Sequence, residues 1–370
     1  MAPARPVRRS KGSALLKQRL PSLAGRGWQR LIHVLEVLNK ERRLGRRAEL
    51  PLGRRLALVR QGFLSEAGLL YGHTDAARLG DYVSDWARME RTADIDAPWL
   101  PILNDKLCFW GFMRNFTAHV APVLGMVRNG RLLHLGEART EPVASGLAAL
   151  RARTVVKPCI GSGGTGIIVH EWRDGRHWVD GVALTEGELE ARLAGEVWLV
   201  CAHIEQAAYA RAVYPAVTST IRMLTMYDDE AGEAFMAVAV HKFAHRGTGP
   251  VDNWEKGGIS APIDLASGRL GPGANFFPEG RRRSHSHHPD TGTPIEGLVV
   301  PGWAAVRDGM VELASKLPFL PYIGWDVVVT DDGYTIIEGN NRPGVGVLQV
   351  HGPLLADPRV RRFYERHHVV

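Results

Sequence analysis

This sequence is poor in cysteine and contains no long hydrophobic run. Its three cysteines, Cys108, Cys159 and Cys201, form neither a C-x-x-C pair nor a disulfide framework, which predicts a reducing compartment. No stretch approaches the ~18 consecutive apolar residues of a membrane span. The N-terminus also lacks the apolar core and small-residue cleavage site of a secretory signal. These absences exclude a disulfide-stapled secreted domain and a transmembrane protein, and they favour a cytoplasmic location.

Acidic residues are scarce in residues 1–60. That segment holds 16 Lys and Arg residues against three acids, a local charge of +13, and since the whole chain carries +7, the remaining 310 residues carry −6. Apolar residues recur in it at helical spacing, namely Trp28, Leu31, Ile32, Leu35 and Leu38. We expect a basic, mainly helical extension, docked on the body of the protein or lying on the anionic inner face of a membrane. A nucleic-acid contact and a transit peptide are further alternatives, and we expect no specific nucleic-acid target.

In the rest of the chain, the predicted secondary structure changes near residue 151. Residues 61–150 read as mainly helical or mixed, with an amphipathic helix over Asn104–Phe116 capped by Asn104 or Asp105. After residue 151, short β-type runs alternate with glycine turns, and Gly271–Gly297 reads as a loop. The predicted strands are Thr154–Pro158, Gly166–Trp172, Val197–Ile204, Thr218–Tyr227, Ala234–Phe243, Tyr322–Thr330 and Tyr334–Glu338. The predicted helices are Leu184–Leu193 and Trp303–Leu317, and hairpin turns are predicted at 173–175 and 331–333. This pattern predicts an α+β fold with antiparallel hairpins.

The glycine loop GSGGTG, Gly161–Gly166, matches G-x-G-x-x-G. A dinucleotide-binding fold would continue into a helix, but here a β-branched run follows, so that assignment fails. A Walker loop and the protein-kinase motifs are both absent from the sequence. A flexible hairpin lid over phosphates remains, because glycine backbone N–H groups can approach phosphate oxygens closely. Lys157, on the strand leading into the loop, can reach a phosphate as a point charge.

A second group of polar residues lies near the C-terminus, in IGWDVVVTDDGYTIIEGNNRPG. Asp326 lies on one predicted strand, Glu338 ends the next, and Asn340 follows two residues later. Because a hairpin brings such strand ends side by side, these oxygen donors predict a Mg²⁺ site completed by substrate phosphates. The SHSHHPD run (His285, His287, His288) has no partner at zinc spacing, which favours a solvated or substrate-contacting loop.

Taken in order, these motifs resemble the ATP-grasp superfamily. They are Lys106 in NDK, the VVKP lysine with its GSGGTG lid, the hinge strand VWLVCAHIEQ, Thr220-Ile221-Arg222 and the D…E-x-N set. The strings VDNWEKGGISAPIDLASGRLG and WDVVVTDDGYTIIEGNNRPGVGVLQ further resemble its sugar-transfer-associated, glutamate-ligase-related group. The resemblance covers roughly residues 100–355 and implies two α+β subdomains clasping ATP. The expected units are 1–60, 61–150, a lid subdomain over 151–206 and a C-terminal subdomain over 207–370.

The resemblance also implies roles for individual residues. Lys106 and Lys157 would contact the ATP phosphates, Arg222 and Arg342 would neutralise charge on the γ-phosphate or an acyl-phosphate, and Lys242 is a further phosphate-binding candidate. The implied lid residues are Gly161, Ser162, Gly163, Gly164, Thr165 and Gly166, and the implied adenine-binding hinge residues include Ala202, His203, Ile204 and Glu205. The implied metal ligands are Asp326, Glu338 and Asn340, with two Mg²⁺ ions that Mn²⁺ could replace.

By this resemblance the sequence predicts an ATP-dependent ligase that joins a small-molecule carboxylate to an amine or a sugar-derived acceptor. Such a reaction passes through an acyl-phosphate and would serve glycan or cell-surface polysaccharide synthesis or peptide modification. Two alternatives stay open at this stage. One is a kinase that phosphorylates a sugar or polyol hydroxyl in the same cradle, and the other is a non-enzymatic protein that binds membrane or nucleic acid through residues 1–60.

Overall fold

The computed structural model describes residues 34–35, 39, 41–42, 50–72, 79–137, 139–161, 164–276 and 280–370. Two antiparallel sheets dominate this part of the chain. Sheet one has eight strands in the order β3-β2-β1-β8-β4-β5-β6-β7, and sheet two has seven in the order β13-β12-β11-β10-β9-β14-β15. The first eight strands are β1 (Val123–Arg128), β2 (Arg131–His134), β3 (Arg139–Pro142), β4 (Thr154–Pro158), β5 (Ile168–Arg173), β6 (Arg176–Val179), β7 (Val182–Leu184) and β8 (Trp198–Ala202). The others are β9 (Thr220–Asp228), β10 (Glu233–Phe243), β11 (Ile259–Pro262), β12 (Gly273–Asn275), β13 (Arg283–His285), β14 (Tyr322–Thr330) and β15 (Gly333–Asn340).

Helices cover the sheets and connect them. The α-helices are α1 (Leu52–Arg60), α2 (Ser65–Leu70), α3 (Leu100–Asn104), α4 (Lys106–Met113), α5 (Val143–Ala149), α6 (Glu186–Leu193), α7 (Ala208–Val213), α8 (Trp303–Ser315), α9 (Val345–Gln349) and α10 (Pro358–Arg366). The structure also has a π-helical turn at Ala87–Arg91 and 3-10 turns at Thr92–Asp94, Trp254–Lys256 and Leu354–Ala356. Among the residues that the structure describes, no helix is long and apolar enough to cross a membrane.

Sheet one packs its core against α5 and α6. Leu147 of α5 and Leu189 of α6 are fully buried against Val156 of β4 and Val200 of β8. A capping box begins α6, since the Thr185 side chain accepts from the Glu188 N–H while Glu188 accepts from the Thr185 N–H. This core holds β4, which carries Lys157, in a fixed position.

Sheet two is covered on both faces. On one face Met310 of α8 packs with Trp325 of β14 in a core of fully buried side chains. On the other face Tyr322 of β14 packs with Phe363 and Tyr364 of α10 in a second core. Because β14 is buried on both faces, its sequence reads as a nearly continuous apolar run in which Asp326 is the exception.

The expected α+β fold is confirmed, and several elements have the predicted bounds. Strands Thr154–Pro158 and Tyr322–Thr330 occur as predicted, and the turns at 173–175 and 331–333 join β5 to β6 and β14 to β15. The predicted loop Gly271–Gly297 was wrong in part, because β12 and β13 extend sheet two inside it.

The basic helical extension falls mostly outside the described residues. Of the apolar residues that predicted it, Leu35 is described, is helical and is 56% exposed, whereas Trp28, Leu31, Ile32 and Leu38 lie outside.

Candidate functional site

A large cleft lies between the two sheets, with a volume of about 1660 Å³. This exceeds the roughly 300–1,000 Å³ of a typical pocket for one small ligand. Strands β4, β5 and β8 of sheet one line one wall, and β9, β10, β14 and β15 of sheet two line the other. The cleft therefore has room for two substrates side by side.

Two lysines meet at the lid side of this cleft. Lys106 is the first residue of α4, and its Nζ donates to the carbonyl oxygen of Gly161 at 2.7 Å. The Asp105 side chain caps α4 by accepting from the backbone N–H groups of Leu107 and Cys108, which fixes where Lys106 points. Lys157 of β4 is buried, and its Nζ donates to the carbonyl oxygen of Ile337 on β15 at 3.4 Å. Lys157 thus reaches from sheet one to sheet two.

Burial lowers the pKa of Lys106, while the nearby charge of Glu338 raises it in opposition. A lysine that is partly desolvated binds an anion more strongly than an exposed lysine, because water screens the interaction less. Lys106 of α4 and Glu338 of β15 therefore lie close enough in the cleft for their charges to interact.

The glycine loop connects β4 to β5 across the mouth of the cleft. Gly164 and Gly166 have φ angles of 66° and 81°, a region that favours glycine. A Cβ atom on Gly164 would lie 3.0 Å from Cγ2 of Val251, which belongs to the segment between β10 and β11. Gly161, Gly164 and Thr165 line the cleft, and Ser162 and Gly163 lie outside the described residues. The described part of the loop therefore lies close to the segment that joins β10 to β11.

Asp326 and Glu338 are direct partners across β14 and β15. The buried Asp326 carboxylate receives two hydrogen bonds from Arg222, at 2.8 and 2.9 Å, and lies 3.2 Å from the Lys242 Nζ. Burial alone would raise the pKa of Asp326, but Arg222 and Lys242 hold it well below its usual range. The Asp326 carboxylate is therefore ionised, and Arg222 and Lys242 hold it in place.

Asp252 completes this buried network. Its carboxylate accepts from the Thr220 N–H at 2.8 Å and the Thr220 hydroxyl at 2.6 Å, and lies 3.5 Å from the Lys242 Nζ. The sequence analysis assigned no role to Asp252 or Thr220, although both lie in strings that carried the family resemblance. Lys242 thus contacts both the Asp252 and the Asp326 carboxylates and helps to position them.

The predicted metal ligands come together at this end of the hairpin. The Asn340 side chain lies 3.5 Å from the Asp326 carboxylate, and Glu338, opposite Asp326, forms no ion pair with any of the described residues. The part of the chain that the structure describes holds no cluster of three or more His, Cys, Asp or Glu side chains able to bind a metal. Two carboxylates and an amide suit Mg²⁺, which keeps several waters and takes its remaining ligands from phosphate.

Apolar residues line the cleft near the hinge. Val155 of β4 and Ala202 of β8 face it from sheet one, and Val328 of β14 faces it from sheet two. His203 and Ile204 also line it, whereas the Glu205 side chain is 65% exposed and lies 3.0 Å from His203. Burial, followed by the Arg153 charge, lowers the pKa of His203. Apolar side chains beside backbone groups are a suitable environment for a nucleobase.

Arg342 also lines the cleft, two residues after Asn340 in the sequence. Its guanidinium lies 3.5 Å from the Met89 carbonyl oxygen, and the Arg88 guanidinium lies 3.5 Å from the Arg342 carbonyl oxygen. Sequence reasoning missed Arg88, since no motif surrounds it.

The histidine run contributes to packing. His288 is buried and its Nε2 lies 2.8 Å from the Ala244 carbonyl oxygen, while His285 contacts the Asn275 side chain at 3.1 Å. These partners confirm neither a substrate contact nor a metal role for the run.

The match to known proteins covers most of the chain. A family model described as sugar-transfer associated ATP-grasp matches residues 96–363. No curated protein matches the chain.

Several solved structures resemble it at low sequence identity. The biotin carboxylase domain of the Hydrogenobacter thermophilus 2-oxoglutarate carboxylase is 15% identical, with a TM-score of 0.36, over 67% of this chain and 41% of that one. Campylobacter jejuni biotin carboxylase is 14% identical, with a TM-score of 0.38, over 66% and 42%. The Bacillus anthracis D-alanine–D-alanine ligase is 15% identical, with a TM-score of 0.37, over 72% and 68%. The chain thus spans less than half the length of the two carboxylase structures.

Proposed function

The chain belongs to the sugar-transfer associated ATP-grasp family, and we propose that it is an ATP-dependent ligase joining a carboxylate to an amine or a similar nucleophile. One observation carries this proposal. Lys106 of α4 and Lys157 of sheet one line a single cleft with Asp326 and Glu338 of sheet two, so cations for phosphate and carboxylates for a divalent ion lie in the same cleft.

ATP is proposed to lie with its base beside the apolar residues Val155, Ala202 and Val328 and with its phosphates beside the two lysines. Backbone N–H groups of the lid, from Gly161 to Gly166, would approach the same phosphates. Mg²⁺ held by Asp326, Glu338 and Asn340 would neutralise charge on the transferred phosphoryl group. The contacts of Arg222 and Lys242 with Asp326 support a role for both residues in orienting that carboxylate.

The reaction requires no covalent enzyme nucleophile. One oxygen of the substrate carboxylate attacks the γ-phosphorus, the bond to ADP breaks, and an acyl-phosphate forms. The amine then attacks the acyl carbon and gives up a proton, and phosphate leaves with the former carboxylate oxygen. The protein contributes positioning and charge stabilisation, in which Arg342 is proposed to face the transferred group.

The test is a screen for ADP release over amino acids and sugar-derived acids and amines, with products read by mass spectrometry. For a positive pair, the carboxylate is supplied with ¹⁸O. A ligase moves one ¹⁸O atom into free phosphate and forms an amide, whereas a kinase leaves the γ-phosphate on its acceptor and releases none. A phosphorylated acceptor without amide would overturn the ligase proposal in favour of the kinase alternative.

A further inference from the structure

One face of sheet two carries polar side chains that line the cleft. Lys242 of β10 is the cross-strand partner of Thr220 on β9, and Asp326 of β14 is the partner of Arg222, two residues further along β9. Residues two apart on a strand share a face of the sheet, so Lys242 and Asp326 lie on the same face with β9 between them. Both of them line the cleft. The long Lys242 side chain crosses β9, and its Nζ lies 3.2 Å from Oδ1 of Asp326.

Asp252 approaches the same lysine from a connecting segment. It lies between β10 and β11, is buried, and also lines the cleft. Its Oδ2 accepts hydrogen bonds from the Thr220 N–H at 2.8 Å and from the Thr220 hydroxyl at 2.6 Å. Its other oxygen, Oδ1, lies 3.5 Å from Nζ of Lys242. Thr220 therefore anchors Asp252, and one carboxylate oxygen stays directed at Lys242.

Arg222 makes the more rigid of the two cation contacts to Asp326. Its Nε donates to Oδ1 of Asp326 at 2.8 Å and its Nη2 donates to Oδ2 at 2.9 Å, a bidentate contact that fixes the plane of the carboxylate. The guanidinium of Arg222 is a planar fork, whereas the Lys242 ammonium is a point charge on a flexible stem. Lys242 is therefore the more easily displaced of the two cations on Asp326.

A divalent ion held by Asp326 would meet the positive charge of Lys242 beside the same carboxylate. Water screens this repulsion little, because Lys242 and Asp326 are both buried. The Asp252 carboxylate lies close to the Lys242 ammonium, so a small rotation of the flexible stem gives the lysine another partner. In the part of the chain that the structure describes, Asp252 forms no three-acid metal cluster with Asp326 and Glu338, so it reaches the metal site through Lys242 and not as a ligand.

We propose that Lys242 competes with the divalent ion for Asp326, and that Asp252 takes over the Lys242 ammonium when the ion binds. The inference rests on the proposed function for the metal site itself. It makes Asp252 a positioning residue that acts through Lys242. It also gives Lys242 a role other than the phosphate contact that the family resemblance implied.

The test measures Mn²⁺ binding to the full chain by the paramagnetic resonance signal of free Mn²⁺, because Mn²⁺ favours the same oxygen ligands as Mg²⁺. Titrations are made with the protein alone and with a saturating non-hydrolysable ATP analogue. The variants are Lys242→Met, Asp252→Asn and the two combined. The controls are Lys316→Met and Asp94→Asn, which change exposed residues of the same types. Urea unfolding of each variant shows that it is folded.

We expect Lys242→Met to tighten Mn²⁺ binding by about fivefold or more, since the competing charge is gone. Asp252→Asn should weaken binding by about fivefold or more, because Lys242 then loses its second carboxylate and stays on Asp326. The combined variant should match Lys242→Met within about twofold, because Asp252 acts only through the lysine. Both controls should stay within about twofold of the unaltered chain.

Weaker or unchanged binding in Lys242→Met would overturn the competition, and this variant decides the question even if Asp252→Asn does not fold. A combined variant that binds Mn²⁺ about fivefold more weakly than Lys242→Met would show that Asp252 acts on the ion directly, and would overturn its positioning role. Failure of the unaltered chain to bind Mn²⁺ under either condition would overturn the proposed metal site together with the competition. Binding that does not respond to Lys242→Met would overturn the competition alone.

Discussion

Gly164 and Val251 meet so closely that a Cβ atom at residue 164 would lie 3.0 Å from one Val251 methyl carbon and 3.3 Å from the other. Gly164 belongs to the lid of sheet one, whereas Val251 belongs to the segment after β10 of sheet two. A side chain at residue 164 would therefore require the loop or Val251 to shift by a few tenths of an ångström.

Gly164→Ala should accordingly weaken ATP binding and ADP release without unfolding the protein. The added methyl group would push the lid away from Val251, and the φ of 66° would add strain of about 1 kcal/mol. We expect nucleotide affinity to fall by roughly tenfold, equivalent to about 1.4 kcal/mol. Titration with a fluorescent ATP analogue measures this change.

Two further variants separate the clash from the strain. Gly175→Ala lies in the β5–β6 turn with a similar φ of 69° but open space around its Cβ position, so it should keep its nucleotide affinity. Val251→Ala should restore affinity to the Gly164→Ala protein by removing the methyl groups that clash. A double variant as weak as Gly164→Ala alone would refute the seating of the lid on Val251.

The free energy of unfolding should respond differently to neutralisation of Asp326 and of Glu338, although the two residues are cross-strand partners. Asp326→Asn leaves Arg222 and Lys242 buried without their carboxylate, and should lower the free energy of unfolding by roughly 3 kcal/mol. Glu338→Gln breaks no ion pair among the described residues, so its unfolding free energy should change by less than about 0.5 kcal/mol. Urea unfolding measures both.

Activity should fall in both variants, since both residues are proposed metal ligands. Glu338→Gln is the more informative variant, because we expect it to keep normal stability and to lose Mg²⁺-dependent ADP release. Glu312→Gln on the outer surface of α8 is its control and should remain active. Full activity in Glu338→Gln would remove Glu338 from the metal site.

Lys106→Met should weaken nucleotide binding by more than tenfold, because its ammonium group is partly desolvated and faces the proposed phosphates. The loss of its hydrogen bond to Gly161 should also make the lid more accessible to protease. Lys316→Met, on an exposed lysine that pairs with Glu312, should show neither effect. Calorimetry with the ATP analogue and limited proteolysis give the two readouts.

Much of this site could be read from local sequence patterns. The Asp331-Asp332-Gly333 turn sets the β14–β15 register as far as the pair Val327 and Ile336, and a one-residue shift beyond that pair brings Asp326 opposite Glu338. Asp105 has the side chain and position of a helix cap, and it caps α4 as expected. Short-range rules suffice where a turn or a cap decides the geometry.

The remaining features depend on contacts between distant segments. Nothing near Arg88 in the sequence signals a cleft, because the Arg342 backbone that it approaches is 254 residues away. Strands β12 and β13 have only three residues each and gain their stability from the edge of sheet two, so their own sequences carry little periodicity. The Glu205 side chain is exposed and contacts His203, and the hinge motif indicates neither feature.

Asp96 should make the stability of the protein depend on pH. The side chain is fully buried, its Oδ1 accepts from the Tyr322 N–H at 3.2 Å, and burial raises its pKa to about 8. In the unfolded chain the pKa of this group returns to about 4, so the folded state binds the proton more tightly. The stability contributed by that proton is complete below about pH 4 and is lost progressively as the pH rises to about 8.

Asp96→Asn removes the ionisable group while keeping its shape. The variant should match the unaltered protein near pH 4 and exceed its unfolding free energy at pH 8 by on the order of 5 kcal/mol. Asp94→Asn, two residues earlier and exposed, should leave the pH profile unchanged. Urea titrations at pH 4, 6 and 8 measure the difference, and parallel profiles for Asp96→Asn and the unaltered chain would show that Asp96 is ionised in the folded state.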